Sequence, residues 1–215
     1  MQNKKLILVA GNIGSGKTTL TQKLGEAEGW LTGFESVATN PYLPNYYTDM
    51  KSWSFHLQIY FLGHRAEQHL EIWGAPHTAI IDRSIYEDAE IFAKAQYQLG
   101  TLTDQDYKTY LRLYSLIVNN LPAPSLLIYL TASVDTLLMR IQQRARSIEA
   151  GIPRDYLQLL ETFYIDWIDR FTLCPVLTIH TEDLDFVHNA KHIDTILERV
   201  HEKLSGKDTL TFGSA

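Results

Sequence analysis

The stretch that most constrains this chain is a short apolar run, Lys5–Ala10, leading without a break into Gly11-Asn-Ile-Gly-Ser-Gly-Lys-Thr18. The eight residues match G-x-x-x-x-G-K-[ST], with a strand pattern before them and a helical pattern after. Gly11, Gly14 and Gly16 allow a tight turn that aims backbone N–H groups inward, and the following helix adds the positive end of its dipole. Lys17 brings a point charge to the outer phosphates, and the Thr18 hydroxyl is placed to ligate Mg²⁺. Gly11, Asn12, Ile13, Gly14, Ser15, Gly16, Lys17, Thr18 and Thr19 are therefore expected to cradle a nucleoside triphosphate.

Four further runs share the first one's continuous hydrophobicity or nearly so. Thr78–Asp82, Ser125–Leu130 and Pro175–His180 are clear, and Leu31–Glu35 is weaker. Such runs read as strands covered by helices on both faces. Helical patterns fill the intervals at Gly16–Glu28, Ser52–Trp73, Ile85–Leu99, Asp104–Asn120, Val134–Arg146, Pro153–Phe171 and His188–Leu204. This alternation predicts a mainly parallel α/β sheet with its ligand site beyond the carboxyl ends of the strands. No repeat, charge block or linker divides the 215 residues, so a single domain over 1–204 with a frayed tail at 205–215 is expected.

Composition removes other function classes. Lys and Arg number 19 against 25 Asp and Glu, a net charge of −6 that argues against a broad basic face for nucleic acid. The early apolar run Leu6–Ala10 is far shorter than the ~20 residues of a membrane helix and too short for a secretory core. The single cysteine, Cys174, excludes a disulfide framework and a cysteine-based zinc site, and it favours a reducing compartment; a cytoplasmic location is expected. His188 and His192 have a metal-binding spacing but no third ligand, and a solvated helix face explains them. The D-x-x-G and N-K-x-D motifs of switch GTPases are missing, because the third strand ends in Asp82-Arg-Ser-Ile85 and the fourth leads into Thr131-Ala-Ser133. A transferase to a small acceptor remains.

Several ordered motifs beyond the phosphate loop narrow this further: Phe34-Glu-Ser36, Trp53-Ser-Phe-His-Leu-Gln58, Asp82-Arg-Ser84, and Arg140-Ile-Gln-Gln-Arg-Ala-Arg146 followed by Glu149 and Gly151-Ile-Pro153. In these the chain resembles the deoxynucleoside kinases from about Leu6 to Phe186. The resemblance implies a P-loop kinase fold with a five-stranded parallel sheet flanked by helices and an arginine-rich lid. It also implies that ATP and Mg²⁺ serve the 5′-phosphorylation of a deoxyribonucleoside. Glu35 would be the base for the sugar 5′-hydroxyl, a role that suits a carboxylate because a primary alcohol is a poor nucleophile near neutral pH. Arg83 would bridge Glu35 and that hydroxyl, and Asp82 would help to hold Mg²⁺ directly or through water. From the residues alone, Ser84 is the expected cap of the helix that starts near Ile85.

Gln58, Phe61 and Arg65 fall on one face of their helix, and Asp88 and Phe92 stand one turn apart on theirs. The resemblance implies that Gln58 reads the base edge, that Phe61 and Phe92 stack on the base, and that Arg65 pairs with Asp88 over it. Tyr47 and Glu149 would bond the sugar 3′-hydroxyl, with Trp53 beside them. Arg140, Arg144 and Arg146 would belong to the lid that clamps the transferring phosphoryl group, and Asp185 and Phe186 would contact the donor adenine. Dipole compensation, aromatic packing and helix capping are the plain alternatives for these residues taken singly.

Within the resemblance, Arg65 and Asp88 oppose a thymidine-preferring member, and the Asp82-Arg-Ser84 variant and compact length resemble bacterial members that act on purine deoxynucleosides, deoxyadenosine first and deoxyguanosine second. Deoxycytidine is the close competitor. A nucleoside monophosphate kinase of the thymidylate kinase type is the second enzyme reading, which Glu35 disfavours by repelling a phosphate-bearing acceptor. A non-catalytic nucleotide-gated module is the third, and it leaves Glu35, Arg83 and the lid arginines without purpose. A homodimer is expected, with Ile85–Leu99 and Asp104–Asn120 as possible faces; neither a nucleic-acid polymer nor a membrane is expected as partner.

Overall fold

In the computed structural model, residues 4–34, 40–144, 146, 151–182, 184, 186 and 189–206 are described. Five strands form one sheet: β1 (Leu6–Gly11), β2 (Leu31–Gly33), β3 (Ala79–Asp82), β4 (Leu126–Thr131) and β5 (Val176–His180). Their order is β2-β3-β1-β4-β5 and every pairing is parallel. The expected α/β architecture is what forms, and the weak second run is a strand of three residues at the sheet edge. Register sets Val9 beside Asp82 and Gly11 beside Leu130, so β1, β3 and β4 all end where the phosphate loop begins.

Alternation along buried strands divides the core in two. Leu6, Leu8 and Ala10 face α3 (Met50–Gly74), α6 (Asp104–Val118) and α8 (Arg154–Arg170), through Leu62, Tyr110, Leu160, Tyr164 and Trp167. Ile7 and Val9 face α1 (Lys17–Glu28) and α9 (Ala190–Ser205), through Leu20, Leu24, Ile193, Ile196 and Val200. Burial on both faces explains why the strands read as unbroken apolar runs. No helix among the described residues is long and apolar enough to cross a membrane.

Four segments depart from expectation. A short helix, α2 (Leu43–Thr48), carries Tyr46 and Tyr47, with Pro44 fitting its first turn. The segment expected as one helix over Ile85–Leu99 is α4 (Ile85–Glu87), a π-helical turn (Asp88–Ala93) and α5 (Lys94–Gln98). The seventh helix, α7 (Val134–Arg144), stops two residues early. Helix α9 retains Ser205, the first residue of the expected tail, and closes at Gly206; residues 207–215 lie outside the described residues.

Candidate active site

At the end of β1 the chain turns through Gly11–Gly16 with φ of +148° at Gly11, +87° at Gly14 and +100° at Gly16. A side chain at Gly16 would also place its Cβ 2.8 Å from the Phe186 ring, so conformation and space both demand glycine there. The buried Lys17 Nζ donates to the carbonyls of Gly11 at 2.7 Å and Asn12 at 3.0 Å, lying across the loop it serves. The Asn12 side chain ties the loop to α8, donating to Leu157 O and Glu161 Oε2, both at 3.0 Å. Thr18 Oγ1 donates to Asp82 Oδ2 at 2.5 Å, which brings together the two oxygens expected near the metal.

Beyond β3, Arg83 alone among the described non-glycine residues has a left-handed backbone, at φ +68°. That conformation costs about 1–2 kcal/mol, and the Arg83 N–H donation to Val9 O at 3.0 Å helps to hold it. It turns the guanidinium onto the Phe92 ring, 4.1 Å from the centroid. Ser84 is the cap of α4, as expected, and Glu87 completes a reciprocal capping box with it. The π-helical turn then presents Asp88 to α3, where Asp88 Oδ2 meets Arg65 Nε at 3.1 Å with side chains only 5% and 1% exposed. Gln58, one face along α3, is buried, and its Oε1 accepts no hydrogen bond among the described residues. A buried acceptor without a donor is rare in a finished core, so its donor comes from outside the described residues.

A phosphate loop, a hydroxyl–carboxylate pair beside it and a buried base-sized polar face on α3 thus share one end of the sheet. The family model described as deoxynucleoside kinase matches residues 7–205. The chain belongs to the deoxynucleoside kinase family. It is an enzyme that phosphorylates deoxynucleosides, with ATP as the donor that membership implies. Among curated relatives it is 42% identical over 197 residues to the deoxyadenosine/deoxycytidine kinase of Bacillus subtilis, covering 91% of each chain. The deoxyadenosine kinase of Lactobacillus acidophilus is 36% identical, over 93% of this chain and 96% of that one. A solved structure of deoxyadenosine kinase from M. mycoides with bound dATP is 31% identical with a TM-score of 0.79, covering 91% of this chain and 99% of the other.

The kinase places the remaining expected residues unevenly. Phe61 is half-buried on α3 one turn beyond Gln58. Trp53 packs on His56 and Tyr42, with ring centroids 5.2 and 6.0 Å away. Tyr47 is 52% exposed and edge-on to Tyr46. Arg140 is bound away from the α7 terminus, donating to Thr181 Oγ1 at 2.8 Å and Thr181 O at 2.5 Å, with burial lowering its pKa. Arg144 and Arg146 are exposed. Phe186 is buried in the α1/α9 half of the core under Gly16. Glu35, Glu149 and Asp185 lie outside the described residues.

Three site residues escaped sequence reasoning. Glu87 is fully buried under the loop, accepting from Gly11 N–H at 3.3 Å, Ser84 N–H at 3.0 Å and the Tyr164 hydroxyl at 2.8 Å. Burial raises its pKa, and Lys17 and Arg83 pull it back down. Tyr164 contributes from α8, its hydroxyl also 2.8 Å from Gly11 O. Tyr156, on the same helix, has its hydroxyl pushed up to about 12 by burial, despite the opposing pull of Arg83. The Ser84-x-x-Glu87 spacing was the available signal for Glu87; nothing local marked the two tyrosines.

Proposed function

We propose that this kinase transfers the terminal phosphoryl group of ATP to the 5′-hydroxyl of a purine deoxynucleoside, deoxyadenosine before deoxyguanosine. The observation that carries the base preference is the unmet Gln58 Oε1 on the same helix, α3, as the buried Arg65 that pairs with Asp88. An acceptor there calls for a donor on the base edge, and the exocyclic amine of adenine or cytosine supplies one. That logic also keeps deoxycytidine as the second reading, in line with the 42% identity to the deoxyadenosine/deoxycytidine kinase of Bacillus subtilis.

Lys17 and the loop N–H groups would hold the phosphates, and Thr18 and Asp82 would hold Mg²⁺, whose hard oxygen preference their paired oxygens fit. The cation would neutralise phosphate charge when bound. Arg83 and the base Glu35 would meet the 5′-hydroxyl. Tyr47 and Glu149 would bond the sugar, Trp53 lining their side of the pocket. Phe61 and Phe92 would flank the base. Arg144 and Arg146, with Arg140 at their root, would form the lid, while Asp185 and Phe186 would edge the donor adenine. Exposed Leu70 on α3 and Leu113 and Leu116 on α6 support a homodimer through these two packed helices. A cytoplasmic setting accords with the single free cysteine, Cys174.

The test is label transfer from γ-labelled ATP to each of the four common deoxynucleosides. Deoxyadenosine should have the highest kcat/KM and thymidine the lowest; a thymidine preference would overturn the reading of Gln58, Arg65 and Asp88.

A further inference from the structure

We infer that Glu87 is a positioning residue for phosphoryl transfer: from behind the phosphate loop its buried side chain fixes the Gly11 backbone that Lys17 bonds and the Ser84 N–H next to Arg83. Glu87 itself cannot reach substrate. It has no exposed surface, and the Gly11 backbone and the Tyr164 ring stand around it. A helix cap alone does not require a charge at this depth, because Ser84 Oγ already accepts from the Glu87 N–H at the start of α4. Burying a carboxylate is costly unless opposite charge faces it. Lys17 on α1 and Arg83 after β3 offset part of that cost, although burial still raises the Glu87 pKa overall, and three donors hold its oxygens in place.

The connections run through shared atoms. Gly11 O accepts from Lys17 Nζ at 2.7 Å and lies 2.8 Å from the Tyr164 hydroxyl, which is equally close to Glu87 Oε1. The single Tyr164 proton can serve either acceptor. If Lys17 turns from Gly11 O toward a phosphate, Tyr164 can turn its proton to that carbonyl while Gly11 N–H and Ser84 N–H still hold the carboxylate. Glu87 thus fixes the backbone that carries Lys17 and Arg83 before the triphosphate arrives, so that little reorganisation is left for the transition state. This inference rests on the proposal that Lys17 and Arg83 act on the transferring group.

Steady-state kinetics with deoxyadenosine and MgATP, together with thermal melts, test it on Glu87→Gln, Glu87→Asp and Lys17→Ala. Glu87→Gln keeps shape and removes charge, so kcat should fall at least tenfold with the deoxyadenosine KM within twofold and the melting temperature no lower than the parent's. Glu87→Asp keeps charge and loses a methylene, so it should melt lower yet turn over faster than Glu87→Gln. A purely structural role predicts the reverse ranking, with turnover following stability; that ranking, or a Glu87→Gln that fails to fold, overturns the inference. Lys17→Ala separates the two layers. If it is inactive while Glu87→Gln matches the parent, Glu87 alone loses its role; if Lys17→Ala is itself fully active, the reading of the loop fails and the inference with it.

Discussion

Removing one member of the Arg65–Asp88 pair probes stability and base recognition together. With side chains 1% and 5% exposed at 3.1 Å, the two charges compensate each other out of reach of water. Asp88→Ala leaves the Arg65 guanidinium buried against an empty site, a loss of about 3–5 kcal/mol. For a chain of this size that lowers the melting temperature by about 6–20 °C at roughly 2–4 °C per kcal/mol. Adding Arg65→Met removes the uncompensated charge, so the double variant should recover to within about 1–2 kcal/mol of the parent. Its preference should still change. A base that loses a paired donor and acceptor forfeits about 1–3 kcal/mol, so the ratio of kcat/KM for deoxyadenosine over thymidine should fall about 10–100-fold. Melts of the four members of the cycle and acceptor competition supply both readouts. Losses that simply add would refute the coupling, and an unchanged acceptor ratio in a folded double variant would show that the pair does not read the base.

Glu35→Ala should lower kcat by at least 100-fold while a fluorescent ATP analogue still binds; undiminished turnover would remove its role as base. Gly16→Ala should weaken ATP binding at least tenfold, because the new Cβ meets Phe186 at 2.8 Å on a backbone with φ +100°; unaltered binding would mean that the loop does not hold the phosphates. His69 is buried on α3 with Nε2 2.8 Å from Pro122 O, and burial lowers its pKa. The neutral ring is therefore favoured in the fold, so its contribution to stability is present above about pH 6.5 and is lost as pH falls through the lower folded value. Melting temperature should drop over that window in the parent and drop less in His69→Leu; parallel curves would contradict the assignment.

What was readable from the residues divides along physical lines. The Gly11–Thr18 loop and the strands showed themselves because conformation and two-sided burial impose local patterns. Helix α2 did not, since its six residues hold a proline and two tyrosines with no apolar period. The π-helical turn after Glu87 was hidden because Asp88 and Phe92 at four-residue spacing fit an α-helix equally well. Arg65 and Asp88 were paired in advance through resemblance, and their contact is in the structure. Glu87 was not singled out, because what buries it includes Tyr164, 77 residues further along the chain. The site residues that stayed illegible are those defined by packing between distant elements.

An uncharged alcohol, and not a phosphate, receives the phosphoryl group at the loop. Offering deoxyadenosine and deoxyadenosine monophosphate in parallel with γ-labelled ATP tests it most directly. Label should appear on the 5′-oxygen of deoxyadenosine as the monophosphate, with the monophosphate itself a poor acceptor. Preferential labelling of deoxyadenosine monophosphate to the diphosphate would contradict it.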